Sequence, residues 1–509
     1  MKRARTNPDL PPPPELPSFT VEPEAGTADR SEGDSRGRTD DAHARQGTQR
    51  DEGGRSSRDG RDARDARDSR APRDGRDVPR DEGDRRGDRN ENARERIERH
   101  DATGLQRHDA PLDEDAIDAD AAKVVRRLER AGFQAYLVGG CVRDLLLSGR
   151  PKDFDVATSA RPDDVRSLFR NCRIIGRRFR LAHVLFGGGK VVEVATFRRN
   201  PTALLAEGES DEDDDLLIRS DNVFGEAHED ALRRDFTINA LFYDLDRRQV
   251  LDWCGGMPDI QRRTIRTIGE PAVRFREDPV RILRAIKFAA RLDLGIDPHC
   301  YDAMVGSRAE LARAARPRIF EEILRLMRMG GSHRSMWLMW EIGAMAILMP
   351  ELAAFLDDDE ATDGGSIRFF KKMALVDRKT KESGAMDDLV LMTALFYDVL
   401  EEAAHGMRDL MGAVNDFLDP VIDRIAMPRR IADAIRRIMF MVPRILAGKI
   451  GRFARTELFL PALDVAELVL AARDQSTTAI EAMRREALPV PSAPRERRPS
   501  AFPRTRVRR

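Results

Sequence analysis

With 509 residues the chain can hold roughly two to four domains and bury a large core. Its 88 basic and 89 acidic residues nearly cancel, leaving a formal net charge of −1 that hides a strong local asymmetry. No stretch reaches the roughly eighteen uncharged apolar residues of a membrane span. The scattered Cys141, Cys172, Cys254 and Cys300 lack the spacing of a zinc site or disulfide framework, which suits a reduced, cytoplasmic setting.

From about Thr27 to His108 the composition is Arg, Asp, Glu and Gly with almost no large apolar residue, as in Arg58-Asp59-Gly60-Arg61-Asp62. Such a segment cannot offset chain entropy by burial, so 1–112 is predicted to be a disordered extension, a soluble spacer open to protein partners. Met1-Lys2-Arg3 followed by Pro11 to Pro14 lacks the apolar core of a signal peptide. Order is expected from Pro111, where Ile117, Ala121, Val124, Val125 and Leu128 recur at helical spacing and Gly132 supplies a stop.

Ala135 to Val138 reads as a strand, and Gly139-Gly140 after it lets backbone N–H groups approach a triphosphate before a helix carrying Arg143 begins. Asp153-Phe154-Asp155 follows and leads into a predicted strand from Phe154 to Ala157. Side chains two apart share one face of a strand, so Asp153 and Asp155 can hold the same divalent ions. Mg²⁺, with Mn²⁺ as the alternative, prefers such oxygen ligands together with substrate phosphates, and can activate a hydroxyl while steadying a departing pyrophosphate. The order strand, Gly-Gly, helix, Asp-x-Asp therefore points to nucleotide chemistry.

A helix is predicted over Pro162 to Arg170, then a hairpin of Leu181 to Phe186 and Lys190 to Phe197 around Gly187-Gly188-Gly189. His183 in this hairpin is expected to be a packed or surface residue rather than a catalytic base. The acidic run within 207–221 reads as a solvated loop, not a metal site. From His228 onward the pattern is helical with hardly any further strand signal.

In Arg233-Arg234-Asp235-Phe236-Thr237-Ile238-Asn239-Ala240 the apolar residues anchor a turn that presents the polar ones. Arg234 is a candidate for phosphate or ribose. Asp235 is a candidate third carboxylate of the metal cluster, or an organiser of the neighbouring arginine; Glu193, in Val192-Glu193-Val194, competes for that third place, with Asp235 preferred. In the helix-like run Arg276 to Lys287, Pro279 suits a first turn and Asp278 can cap it. Asp278 and Arg281, three apart, share a face, with Arg284 and Lys287 drifting round it. Such a pair reads adenine or cytosine, the carboxylate accepting from the exocyclic amine and the guanidinium donating to a ring nitrogen.

The blocks Leu137 to Asp144, Asp153 to Thr158, Arg233 to Ala240 and Glu277 to Arg284, in this order, resemble the class II nucleotidyltransferases, which comprise CCA-adding enzymes and bacterial poly(A) polymerases. Ile174 to Val184 looks like the signature of the poly(A) polymerase branch, and Arg316 to Gly330 resembles the family's helical RNA-binding neck. The resemblance implies an α+β architecture: a small mixed-sheet, polymerase beta-like head over 113–228, a helical neck over 229–330, a helical body over 331–487, and a basic disordered tail over 488–509. It implies Asp153, Asp155 and Asp235 as catalytic residues, the first two as metal ligands. Gly139, Gly140, Arg143, Arg234, Asp278, Arg281 and Arg284 match nucleotide-contacting positions. Lys287 stands where relatives often carry Arg, keeping the charge without the planar fork.

The implied activity is template-independent addition of AMP from ATP to RNA 3′ ends with release of pyrophosphate. The rivals are CCA or A addition to tRNA, and an inactive RNA-binding protein. Arg429, Arg430, Arg436, Arg437, Arg444, Lys449, Arg452 and Arg455 could form a basic face for RNA. The tail, with seven arginines after Leu488 against Glu496 and ending in Arg504, Arg506, Arg508 and Arg509, is the stronger candidate.

Overall fold

A computed structural model describes residues 104–176, 180–199, 223–358 and 364–487. Most of the expected 1–112 extension, the 207–221 loop, the tail arginines and three residues of the Ile174 to Val184 stretch lie outside the described residues.

The head is built on one eight-stranded sheet. Its strands are β1 (Gln106–Asp109), β2 (Ala135–Val138), β3 (Asp155–Thr158), β4 (Cys172–Ile175), β5 (Leu181–Leu185), β6 (Val191–Thr196), β7 (Phe242–Asp244) and β8 (Gln249–Asp252). They lie in the spatial order β1-β8-β7-β2-β3-β6-β5-β4. Every pairing is antiparallel except β3 with β6, which run parallel with Asp155 opposite Glu193. The β2 strand and the β5–β6 hairpin fall where the apolar runs and the glycine triplet place them.

Two features differ from the sequence reading. The sheet recruits β7 and β8 from the region expected to be helical, because these short runs complete an existing sheet rather than stand alone. Gln106–Asp109, within the segment expected to be disordered, is a strand whose ladder partner is β8, so its order comes from a distant edge and not from its own polar residues.

Helix α1 (Ala119–Arg130) is capped by Asp118, whose carboxylate accepts from the N–H groups of Asp120 and Ala121. It packs Ala121, Val124, Val125 and Leu128 against Leu137, Val156, Val184, Val192 and Val194 on one face of the sheet. The alternate residues Val138 and Ala157 face the other side, where Phe197, Phe242 and Leu251 form a smaller cluster. Asp155, two residues before Ala157, belongs to this second side. There follow α2 (Gly140–Leu146), α3 (Pro162–Leu168), α4 (Ala227–Leu232), α5 (Gly256–Gln261), α6 (Pro271–Glu277), α7 (Val280–Leu292), α8 (Pro298–Ser307) and α9 (Arg316–Arg328).

The α7 helix buries Ile282, Leu283, Ala285 and Ile286 and joins the head to the helices that follow. Between Ser332 and Ala487 the described chain is helical, and its core is continuous with that of the head. The apolar run Leu389 to Tyr397 lies in the buried helix Asp388–Ala403, as expected, and no described helix is long and apolar enough to cross a membrane. Inside this body Lys372 Nζ donates to Asp398 Oδ2 at 2.5 Å, with side-chain exposures of 0% and 5%. The four cysteines are unpaired.

Candidate active site

The turn from β2 into α2 is set by Gly139, with φ of +73°, a conformation costly for a side chain. A Cβ there would stand 3.0 Å from Arg234 Nη1, so the absence of a side chain also lets that guanidinium approach the turn. One turn into α2, Arg143 is buried, and its guanidinium lies 4.9 Å from the Phe288 ring centroid. Its Nε and Nη2 donate to Asp144 Oδ1 at 2.8 and 2.5 Å, and Nη1 to Asn239 Oδ1 at 2.6 Å.

Asn239 passes the network on, donating from Nδ2 to Asp235 Oδ1 at 3.0 Å. Asp235 Oδ2 accepts from Arg284 Nε at 2.7 Å, and Nη2 of the same arginine lies 2.6 Å away. The Phe236 N–H donates to Asp235 Oδ1 at 2.9 Å. Burial alone would raise the Asp235 pKa, but the Arg284 charge and these hydrogen bonds hold it well below the usual carboxylate range. Both oxygens of Asp235 therefore have hydrogen-bond partners, and the residue orients Arg284 and Asn239 while it lines the cavity.

Arg234 is held by Asp230, which accepts from its Nε at 3.2 Å and Nη2 at 2.9 Å while also accepting from Arg233 Nε at 2.9 Å. Arg274 fastens the same segment, donating to the carbonyls of Arg233 and Arg234 at 2.8 and 2.6 Å. These supports bring Gly139, Gly140, Arg143, Asp155, Arg234, Asp235, Asp278, Arg281 and Arg284 around one cavity of about 540 Å³. Arg233, Asn239, Phe288 and Arg318 complete its wall. Asn239 and Arg318 were part of recognised blocks, but Phe288 and the supporting Asp230 and Arg274 carried no local signal, since their partners are set by folding.

Asp155 opens β3 beside the cavity, and Asp153 lies just before the strand, exposed. Neither carboxylate takes part in a hydrogen bond or ion pair among the described residues. Although Asp155 keeps solvent access, the surrounding protein displaces enough water to push its carboxyl up to about 6; Glu193 and Asp153 add to the rise and Arg234 opposes it. Glu193, in register on β6, also lies 3.5 Å from His183 Nε2 through its Oε1. Among the described residues no three His, Cys, Asp or Glu side chains converge tightly enough to form a metal site on their own. Two carboxylates awaiting ligand phosphates suit Mg²⁺, which is ordinarily held in that way.

Two expected site residues, Asp278 and Lys287, are placed differently from the sequence reading. Asp278 does not cap α7: it ends α6 in extended conformation, Pro279 takes the cap position, and its carboxylate accepts from Arg318 Nη2 at 2.8 Å. Arg281 reaches the cavity with Nη1 already donating to Arg274 O and Glu277 Oε2, at 2.9 and 3.0 Å. Lys287 does not line the cavity; its Nζ donates to Glu322 Oε2 at 2.8 Å, tying α7 to α9, and burial pushes its pKa down to about 8.

A glycine turn, a ring of arginines and carboxylates at the ends of central strands of a mixed sheet define a nucleotidyltransferase head on a helical body. Residues 135–266 match the family model described as the poly(A) polymerase head domain, and 293–356 match the probable RNA and SrmB-binding site of polymerase A. Poly(A) polymerase I of Salmonella typhimurium is 38% identical over 361 residues, 68% of this chain and 76% of that protein. The CCA-adding enzyme of Streptococcus suis is 36% identical over 243 residues, 48% of this chain and 57% of that protein. The solved CCA-adding enzyme of Bacillus stearothermophilus, in complex with CTP, superposes with a TM-score of 0.53 at 28% identity, covering 72% of this chain and 80% of that one. The chain belongs to the class II nucleotidyltransferase family of poly(A) polymerases and CCA-adding enzymes, and is an enzyme of that class.

Proposed function

We propose that the protein is a template-independent poly(A) polymerase that extends RNA 3′ ends with AMP from ATP and releases pyrophosphate. The reading is carried by the single cavity that joins the glycine turn, Arg143, Arg234 and Asp155 to Asp278, and is supported by relatives named poly(A) polymerase I at 37 to 38% identity.

In this reading the Gly139-Gly140 turn and Arg234 receive the triphosphate, with Arg143 adding fixed charge behind it. Asp278 releases Arg318 and accepts from the adenine exocyclic amine, while Arg281 donates to a ring nitrogen. Arg284, locked by Asp235, keeps the base-facing side of α7 in place. Asp153 and Asp155 would hold Mg²⁺, with Asp235 on the cavity wall as the preferred third carboxylate and Glu193, in register with Asp155, as the alternative. When bound, the ion would lower the pKa of the RNA 3′-hydroxyl and offset charge on the leaving phosphates. The residues contribute position and preorganised charge, and no side-chain nucleophile is needed. RNA is held through phosphates by the Arg429 to Arg455 region and by Arg504, Arg506, Arg508 and Arg509, in a salt-sensitive, sequence-tolerant way. The setting proposed is cytoplasmic, in polyadenylation and turnover of RNA.

The second reading, CCA or A addition to tRNA, is favoured by the likeness to a CCA-adding enzyme solved with CTP. Cytosine offers the same amine and acceptor pattern to Asp278 and Arg281, so the base pair alone does not separate the two. The test is incubation of the full chain with a generic RNA and each nucleotide separately. Long products with ATP alone are expected; incorporation from CTP would overturn the poly(A) reading. Asp155→Asn is expected to lose pyrophosphate release while keeping RNA binding, and retained release would remove Asp155 from the chemistry.

A further inference from the structure

A second cavity of about 260 Å³ lies next to the first, lined by Asp144, Leu147, Arg150, Arg263, Arg291 and Leu292, with Gly149 closing the turn. Arg143 lines the nucleotide cavity and Asp144 lines this one, and the two side chains are bonded to each other. The remaining oxygen of Asp144 accepts from Arg291 Nη2 at 2.9 Å. One buried carboxylate is thus shared between two guanidiniums, one on each side.

Among the described residues, the other two arginines receive no compensating carboxylate. Arg263 Nη2 donates to the carbonyls of Leu292 and Asp293 at 2.8 and 3.1 Å, which fixes it at the end of α7 with its full charge. Arg150 is exposed and, among the described residues, forms no ion pair or hydrogen bond. Three guanidiniums from three separate parts of the chain therefore converge on a small space with a clear surplus of positive charge. Planar guanidinium forks match phosphate oxygens, and several of them around one space favour an anion with more than one charge. The volume lies below the roughly 300 Å³ at which pockets begin to take drug-sized ligands. No aromatic ring lines it to stack a base.

We propose that this cavity is a second phosphate-binding site, taking an anion of pyrophosphate size with Arg150, Arg263 and Arg291 as its donors. The phosphate can come from a free diphosphate or from the backbone of an RNA strand, the chemistry being the same. The site also touches the first one. An anion that draws Arg291 leaves Asp144 wholly to Arg143, so it weakens the hold of Arg143 on a nucleotide phosphate, a link that rests on the proposed function whereas the binding itself does not.

The test uses the full chain saturated with a non-hydrolysable ATP analogue, so that the nucleotide cavity is filled, and titrates inorganic pyrophosphate by calorimetry. One equivalent is expected to bind the wild type, at least tenfold more weakly to Arg150→Ala and not measurably to Arg150→Glu. A parallel titration with oligoadenylate reads the other source: if RNA supplies the phosphate, Arg150→Ala lowers RNA affinity and reduces the salt slope by about one. Arg150 is exposed and unpaired, so neither variant threatens folding, and thermal melting verifies this. Unchanged binding of both pyrophosphate and RNA in Arg150→Glu overturns the proposal. If the analogue itself fails to bind, the proposed function is at fault, while the Arg150 dependence of pyrophosphate binding still decides this site.

Discussion

Replacing Arg284 by Ala removes the two donors that face Asp235 Oδ2 at 2.7 and 2.6 Å and leaves the Asn239 and Phe236 donors on Oδ1. Breaking one side of a buried ion pair costs about 3–5 kcal/mol. Side-chain exposures of 31% for Arg284 and 10% for Asp235 let some water reach the orphaned oxygen, which places the expected loss near the lower end, about 3 kcal/mol. Denaturant unfolding measures this directly, with an accompanying fall in Tm of about 5–10 °C. A cycle with Asp235→Asn is expected to return a coupling of about 1.5–3 kcal/mol. The Asp235 carboxyl is held below its unfolded pKa, so its stabilisation is full above about pH 4 and is lost as pH falls through the folded value. The gap between wild type and Arg284→Ala therefore narrows on acidification. A loss within about 0.5 kcal/mol, or additive single substitutions, would refute the view that Asp235 is anchored chiefly by Arg284.

Glu129 Oε2 is buried without a hydrogen-bond partner, and burial, then Asp246 and Asp244, push its carboxyl up to about 7. A raised carboxylate pKa destabilises the fold as pH rises from about 4.3 towards that value, so Glu129→Gln should add about 1 kcal/mol at pH 7.5, after discounting for partial exposure, and match wild type near pH 4. Gly139→Ala forces a side chain into positive φ against Arg234, with an expected cost of about 1–3 kcal/mol and weaker ATP binding, read by unfolding and calorimetry. Lys372→Ala orphans the buried Asp398 and should cost about 3–5 kcal/mol, whereas Lys372→Met with Asp398→Leu should recover most of it; equal losses in both would show that shape rather than charge decides.

The β2 strand, the glycine turn and the β5–β6 hairpin were legible because each is specified within a few neighbouring residues. The strands β1, β7 and β8 were not: a four-residue polar run such as Gln106–Asp109 gains its ladder from a partner more than a hundred residues away. The same limit governs the site. A period of two places Asp155 and Glu193 each on some strand face, but only the parallel register of β3 with β6 sets them side by side. Asp235 was legible as a cavity carboxylate, but its bond to Arg284, 49 residues away, was not. Asp278 read as a cap from its place before Pro279, yet the break between α6 and α7 turns it toward Arg318 instead. Residue types and their order reveal chemistry, whereas which lone pairs are already occupied depends on chain closure.

The α7 helix carries Arg281 near its start, Arg284 and Lys287 along its middle and Arg291 near its end, so one rod of about 20 Å serves both cavities and the neck. A protein cut just before Val280 would retain all the strand carboxylates but forfeit the opposite wall of the first cavity. Under the proposed function, dissecting this molecule into a catalytic fragment and an RNA-handling fragment is therefore expected to yield two inert halves, with competence returning only when the rod is supplied and docked.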